Sequence, residues 1–205
     1  MTAFSLIIHP TAYWLHAHGE GGGADFDLVM ERDGEGLPLL RGRHVRGLLR
    51  LALERARAWG WSEHDVDVCG LLVGDRGRGA PGCLAVGDAV LSPSLRAGLL
   101  ADPDLIDGLF VRVPSTAIDR GTGTAKPKHL RTVEAAMPVP LVAKITFEPD
   151  TRHDWAQADT DLLRQIELAK EDWLDWLVLA LPAFDEIGAK RTRGFGAIKL
   201  PEGAA

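Results

Sequence analysis

The sequence predicts an α+β fold in which a strand, a helix and short strands are followed by a further strand, a second helix and a last strand. Three observations predict it. Apolar residues alternate near the N-terminus and around 141–147, they recur at helical spacing after Gly42 and again after Thr160, and glycine or proline punctuates the stretches between. With 205 residues and 46% apolar composition, the chain is long enough to bury a real core as one domain, 1–205, carrying a sizeable insertion.

Taken in order, Phe4, Leu6, Ile8, Tyr13 and Leu15 alternate as in a half-buried strand, with Pro10 marking an edge or a bulge. AHGEGGGAD, residues 17–25, is a glycine-rich loop. FDLVME, the turn RDGEG and LPLL then read as strand, turn and strand. In LPLLRGRHVRGLLRLALERARAW, residues 37–59, that strand ends in a glycine-containing turn that opens into a helix. Val45, Leu48, Leu49, Ala52, Leu53 and Ala56 form its apolar face, and Arg43, Arg46, Arg50, Arg55 and Arg57 crowd the rest. VDVCGLLVGDRGRGAPG reads as loop, CLAVGDAVL as strand, and SPSLRAGLLADP as a short helix bounded by prolines.

LFVRV then enters a polar excursion, residues 114–136, that returns as a strand around Leu141–Phe147. Its glycines and lysines fit an extended hairpin or arm at an interface better than core. Asp159 or Thr160 caps the clearest helix, with Leu162, Leu163, Ile166, Ala169, Trp173, Leu174, Leu177, Val178 and Leu181 at helical spacing, and Pro182 ends it. IGAKRTRGFGAIKL is a basic loop entering a last strand. This order is that of a split βαβ, ferredoxin-like sheet with both helices on one face.

The formal net charge of −6 conceals segregation along the chain. Residues 41–57, 120–131 and 186–199 hold 14 of the 23 lysines and arginines, with Glu54 and Glu186 as their only acids. If these segments converge, they make a positive groove suited to a polyanion whatever the total charge. No run spans a bilayer and the start lacks a signal peptide, so a cytoplasmic protein without a membrane partner is expected. Cys69 and Cys83 are expected as small core residues, because His64 before Cys69 has no CxxC or HxxxH companion to complete a metal site. GDRGRGAPG lacks the Lys-Ser/Thr of a P-loop.

Three stretches carry a family resemblance: LPLLRGRHVRGLLR, IDRGTGTAKPKHLRTVE and GAKRTRGFGAIKL. They are similar, in order and spacing, to three signatures of the repeat-associated mysterious protein (RAMP) superfamily. Over most of its length the chain resembles the backbone subunits of type III CRISPR effector complexes. The resemblance implies an RRM-type core that binds CRISPR guide RNA along its backbone, meets complementary target RNA, and stacks on copies of itself or other effector subunits. The excursion would be its thumb.

On that reading Gly42, Gly194 and Gly196 let phosphates approach backbone N–H groups. Arg43, Arg46, Arg50, Lys190, Arg191 and Arg193 neutralise them, His44 sits beside them, and Lys126 and Lys128 belong to the thumb. Backbone subunits read Pro-Gly-Ser-Ser where this chain has Arg41-Gly42-Arg43-His44, which exchanges hydroxyls for guanidinium forks able to hold phosphate bidentately. In members that cut target RNA, an acid after the glycine run promotes metal-dependent cleavage. The resemblance points to Asp27, and next to Asp25, with Mg²⁺ or another divalent cation at Asp27. The residues alone equally allow Asp27 to be a turn former. Two other roles stay open: an autonomous endoribonuclease that processes CRISPR precursor RNA with His44 or His16, and a non-catalytic structural or capping subunit.

Overall fold

The computed structural model describes residues 3–17, 26–61, 67–74, 81–149 and 160–200, and only the backbone of 127–129. Asp25, His64 and Asp159 lie outside the described residues, and so does the Lys128 side chain.

The fold is mixed α/β with antiparallel sheets. At the centre of the main sheet, β1 (Ala3–Pro10) pairs with β6 (Leu141–Phe147), Phe4 opposite Ile145 and Ile8 opposite Leu141. On its other side the end of β1 pairs with the short β7 (Ile198–Lys199), and Pro10 falls at that end, where its missing N–H costs the ladder least. The outer edge of β6 takes two short strands, β2 (Leu84–Val86) and β3 (Val90–Leu91). The order is β2–β6–β1–β7, with β3 also on β6.

Leu6 and Ile8 of β1 and Leu141, Ala143, Ile145 and Phe147 of β6 are buried, while Ser5, Ile7 and Lys144 face outward. Two helices pack over the buried face. In α1 (Gly42–Ala58) all six residues at helical spacing are buried, and in α5 (Thr160–Ala180) Ile166, Ala169, Trp173, Trp176 and Leu177 are. The Trp173 ring lies 6.5 Å from that of Phe147. Burial of each large aliphatic or aromatic side chain contributes about 1.5–3 kcal/mol, so this one layer dominates the stability.

Several stretches differ from the sequence reading: the strand read through Leu15 stops at Pro10, and CLAVGDAVL divides into β2 and β3. VDVCGLLV contains a helix, α2 (Val68–Val73), capped by Asp67, which accepts from the Gly70 N–H, and closed by Gly74 at φ 86°. FDLVME and LPLL form only isolated bridges in place of strands, Leu28 with Val133, Pro38 with Arg32 of the turn, and Leu40 with Ala89. Helices α3 (Pro93–Ala101) and α4 (Asp104–Asp107) follow β3, the former capped by Ser92 with Pro93 at its first turn.

The polar excursion is a hairpin of β4 (Phe110–Ile118) and β5 (Ala125–Ala136), forming its own two-stranded sheet. Asp119 closes its turn by accepting from the N–H groups of Gly121 and Thr122. Among the described residues its root meets the body. Trp14 is fully buried there, bridging Ala136 through the backbone and donating its indole N–H to the Met137 carbonyl at 3.1 Å.

Glycines 42 and 47 on α1 separate two physical roles. A Cβ at Gly42 would run into the Val86 carbonyl, whereas one at Gly47 meets nothing. Gly42→Ala is expected to destabilise by about 2 kcal/mol or more, and Gly47→Ala to stabilise by up to about 1 kcal/mol. Urea unfolding midpoints of the two variants check the opposite signs.

Candidate nucleic-acid interface

The start of α1 is fixed from below by a buried carboxylate. Glu31, whose side chain is 1% exposed, receives the Arg41 guanidinium and lies 3.2 Å from His16 Nε2. Its backbone N–H donates to the His16 carbonyl at 2.6 Å. Arg41 also reaches Asp88, and Asp88 Oδ1 accepts the Gly42 N–H at 2.7 Å. One clamp thus ties the 31–41 segment, the helix start and the turn between β2 and β3, with Gly42 pressed on Val86.

The basic loop before β7 hangs on residues 13–15. Ala189 N–H donates to the Leu15 carbonyl at 2.7 Å and Gly196 N–H to the Tyr13 carbonyl at 2.8 Å. Gly188 (φ 71°) and Gly196 (φ 74°) are left-handed, and a Cβ on either would strike backbone, Leu15 and Ile187 respectively. Between them Lys190 takes φ 57° and Arg191–Arg193 make one tight turn.

These placements bring the three basic segments together. The His44 pKa is depressed to about 4, first by burial, then by His16, Arg191 and Arg43, so cations from the helix start and the terminal loop surround one imidazole. Its ring packs on that of His16 at 4.7 Å. Burial lowers the Lys190 pKa, Arg193 and Arg131 push the same way, and Asp27 opposes them. Arg43 of α1 and Arg191 of the loop therefore lie near His44, and Arg131 of the hairpin, Arg193 and Asp27 lie near Lys190, the chain neighbour of Arg191.

Other residues singled out in the sequence have structural work. Arg46 donates to the Leu84 carbonyl and Arg50 to the Val73 carbonyl, each at 2.7 Å, and Arg55 to the Ala183 carbonyl and Asp185. The arginine face of α1 thus stitches the helix to its neighbours beyond its first turn. The N–H of Gly42 is taken by Asp88, that of Gly194 by the Arg191 carbonyl at 3.2 Å and that of Gly196 by Tyr13. This corrects the expectation of free N–H groups for phosphate: the glycines permit close backbone approach within the protein. His44 Nε2 is buried without a hydrogen-bond partner among the described residues, and the His16 side chain is 11% exposed, so both imidazoles turn inward. Lys126 is exposed on β5. Cys69 is half-buried, its Sγ 3.8 Å from the Arg50 carbonyl, and Cys83 is buried, which pushes its thiol up to about 11. Glu31 and Asp88 carry no sequence signal, being ordinary acids whose partners are distant in the chain.

Asp27 is exposed. Its N–H donates to the Thr132 carbonyl at 2.9 Å and its Oδ2 accepts from the Thr132 N–H at 2.8 Å, which ties it to the hairpin root. Among the described residues no three His, Cys, Asp or Glu side chains form a metal-holding group. One carboxylate fits a divalent cation that arrives with phosphate oxygens and water completing its shell. None of the helices described is long and apolar enough to cross a membrane.

The family model of the RAMP superfamily matches residues 15–199. No curated protein matches the sequence. Among solved structures the chain is similar to a chain of the type III-B Cmr-beta complex bound to cognate target RNA. That match has TM-score 0.65 and 13% identity, and covers 98% of this chain and 96% of that one. A chain of the apo type III-B Cmr-beta complex matches with TM-score 0.63 and 12% identity over 99% and 98%. At these identities the likeness is one of fold.

The His44 environment sets a pH dependence. Its folded pKa lies below the unfolded value of 6.5, so its contribution to stability is complete above pH 6.5 and is lost as the pH falls toward 4. His44→Gln is expected to flatten the fall in unfolding free energy across that window, measured by urea denaturation at a series of pH values.

Proposed function

The chain belongs to the RAMP superfamily, and we propose that it serves as a guide-RNA-binding backbone subunit of a type III CRISPR interference complex, built on a ferredoxin-like core. The observation that carries this reading is the meeting of Arg43, Arg131, Lys190, Arg191 and Arg193, drawn from three distant segments of a net-acidic chain. Phosphates are bound there by side-chain cations, and the left-handed glycines hold those cations in place. Such a surface accepts any guide sequence, because guanidinium and ammonium groups facing phosphate read no base edges.

The sheet order supports the core assignment. Strand β1 leads through α1 to the β2 edge, and β6, lying between them, leads through α5 to β7. The similar structures come from type III-B complexes, one of them bound to target RNA, which supports target RNA and other effector subunits as partners; further copies of the chain and a cytoplasmic location belong to the same proposal. Lys126 and Lys128 on the hairpin would add contacts to the same strand.

Cleavage of bound target RNA is a second reading, favoured by the exposed Asp27 within electrostatic reach of Lys190. Asp27 would hold a divalent cation together with the RNA, and a bound cation would supply charge neutralisation at the scissile phosphate. The inward turn of His44 and His16 disfavours the precursor-processing alternative, which needs an imidazole at the RNA.

Two outcomes are expected. Replacing Arg43, Arg191 and Arg193 by Gln should weaken binding of unrelated single-stranded RNAs about equally and reduce the slope of log K against log salt by roughly 0.7 for each phosphate left without its cation. Weakening confined to one RNA sequence in filter binding would refute backbone recognition. With guide, complementary target and Mg²⁺ present, Asp27→Asn should retain guide binding and abolish any target cut. A wild-type protein that binds guide and never cuts is the structural subunit.

A further inference from the structure

Two arginine–phenylalanine stacks lie side by side at the hairpin root, and they are finished differently. Phe110 and Arg112 project from the same side of β4, and Arg112 stands directly across from Glu134 of β5. In the inner stack the Arg32 guanidinium lies 3.6 Å from the Phe110 ring centroid and donates to Glu134 Oε1 at 2.8 Å. Glu134 is buried and also accepts the Met30 N–H at 3.2 Å, so this stack is locked on its face and its edge.

In the outer stack the Arg112 guanidinium lies 4.8 Å from the Phe26 ring centroid. Arg112 is exposed, and among the described residues it makes no ion pair or hydrogen bond, so its N–H edge is open to solvent. Phe26 directly precedes Asp27, which is bonded to Thr132 beside Arg131 and lies within electrostatic reach of Lys190. A planar cation on a half-buried ring therefore borders the cationic region.

We infer that the Arg112–Phe26 stack is a platform for one unstacked nucleobase of a single-stranded RNA whose phosphates lie on Arg131 and Lys190. The inference rests on the RNA-binding reading above and adds a base contact to it. A base has a π-face whatever its identity, so a ring backed by a guanidinium receives it without sequence preference, while the open N–H edge reaches the adjoining phosphate or ribose. The locked Arg32–Phe110 stack beside it fixes the strand that carries Arg112.

The test uses the full chain and a single-stranded RNA carrying one 5-iodouridine, moved stepwise along the strand, with photo-cross-links mapped by mass spectrometry. The expected result is a cross-link in the Phe26 peptide for a restricted set of positions. In Arg112→Lys, which keeps the charge and loses the plane, its yield should fall several-fold while the salt slope of binding stays as in wild type. In Phe26→Leu the cross-link should vanish and affinity fall roughly tenfold. RNA bound with the normal salt slope but cross-linked elsewhere would overturn the platform and leave the RNA-binding reading intact. An Arg112→Lys protein with a lowered urea midpoint and unchanged cross-link yield would reduce Arg112 to a structural residue. Failure to bind RNA at all would overturn both.

Discussion

The buried carboxylate of Glu31 is the constraint on which the arrangement depends. A carboxylate 1% exposed is costly unless it is paired, and Arg41 and His16 bring it partners from two other stretches of chain. Arg41 cannot reach Glu31 and Asp88 together unless the first turn of α1 sits against the β2–β3 turn, and only glycine at position 42 allows that approach. Removing the carboxylate would leave Arg41 half-satisfied and free the helix start. Arg43, two residues on, would then lose its fixed relation to Arg191.

A second set of bonds holds the other half of the cationic region. The segment after β1 works as a spine: Tyr13 and Leu15 carry the basic loop through their carbonyls, and Trp14 between them carries the hairpin root. Alternation along an extended segment explains how neighbouring residues serve opposite sides. The hairpin, the loop and the helix start are thus placed by backbone bonds to one short stretch together with the Glu31 clamp. The cations they bear are delivered to one region without attracting one another, which like charges do not do unaided. Lys190 illustrates this: burial lowers its pKa, and Arg193 and Arg131 push the same way, a repulsion that a bound polyanion would relieve.

Most of the framework was legible in the sequence because it follows from periodicity. The strand at 141–147 and the helices after Gly42 and Thr160 stand where alternation and helical spacing put them, whereas the strand read over 3–15 ends at Pro10, whose ring and missing N–H stop the ladder there. The short α2 was not legible, since six residues of VCGLLV among glycines give too little length to separate helix from loop. The convergence of charge was readable as segregation along the chain, yet the division of labour among arginines was not. Arg46 and Arg50 differ from Arg43 only in facing backbone carbonyls of distant segments, and a carbonyl has no residue identity to read. Phe26 and Arg112 were invisible for the same reason, being joined by packing across many residues.

The proposed function requires three separated segments to take up RNA as one surface, and hydrogen–deuterium exchange of the full chain with and without single-stranded RNA tests this most directly. Simultaneous protection of residues 41–46, 131–134 and 188–196 on RNA addition is the expected result. Protection confined to the outward face of the main sheet, around Ser5, Ile7 and Lys144, with those three segments unchanged, would contradict it.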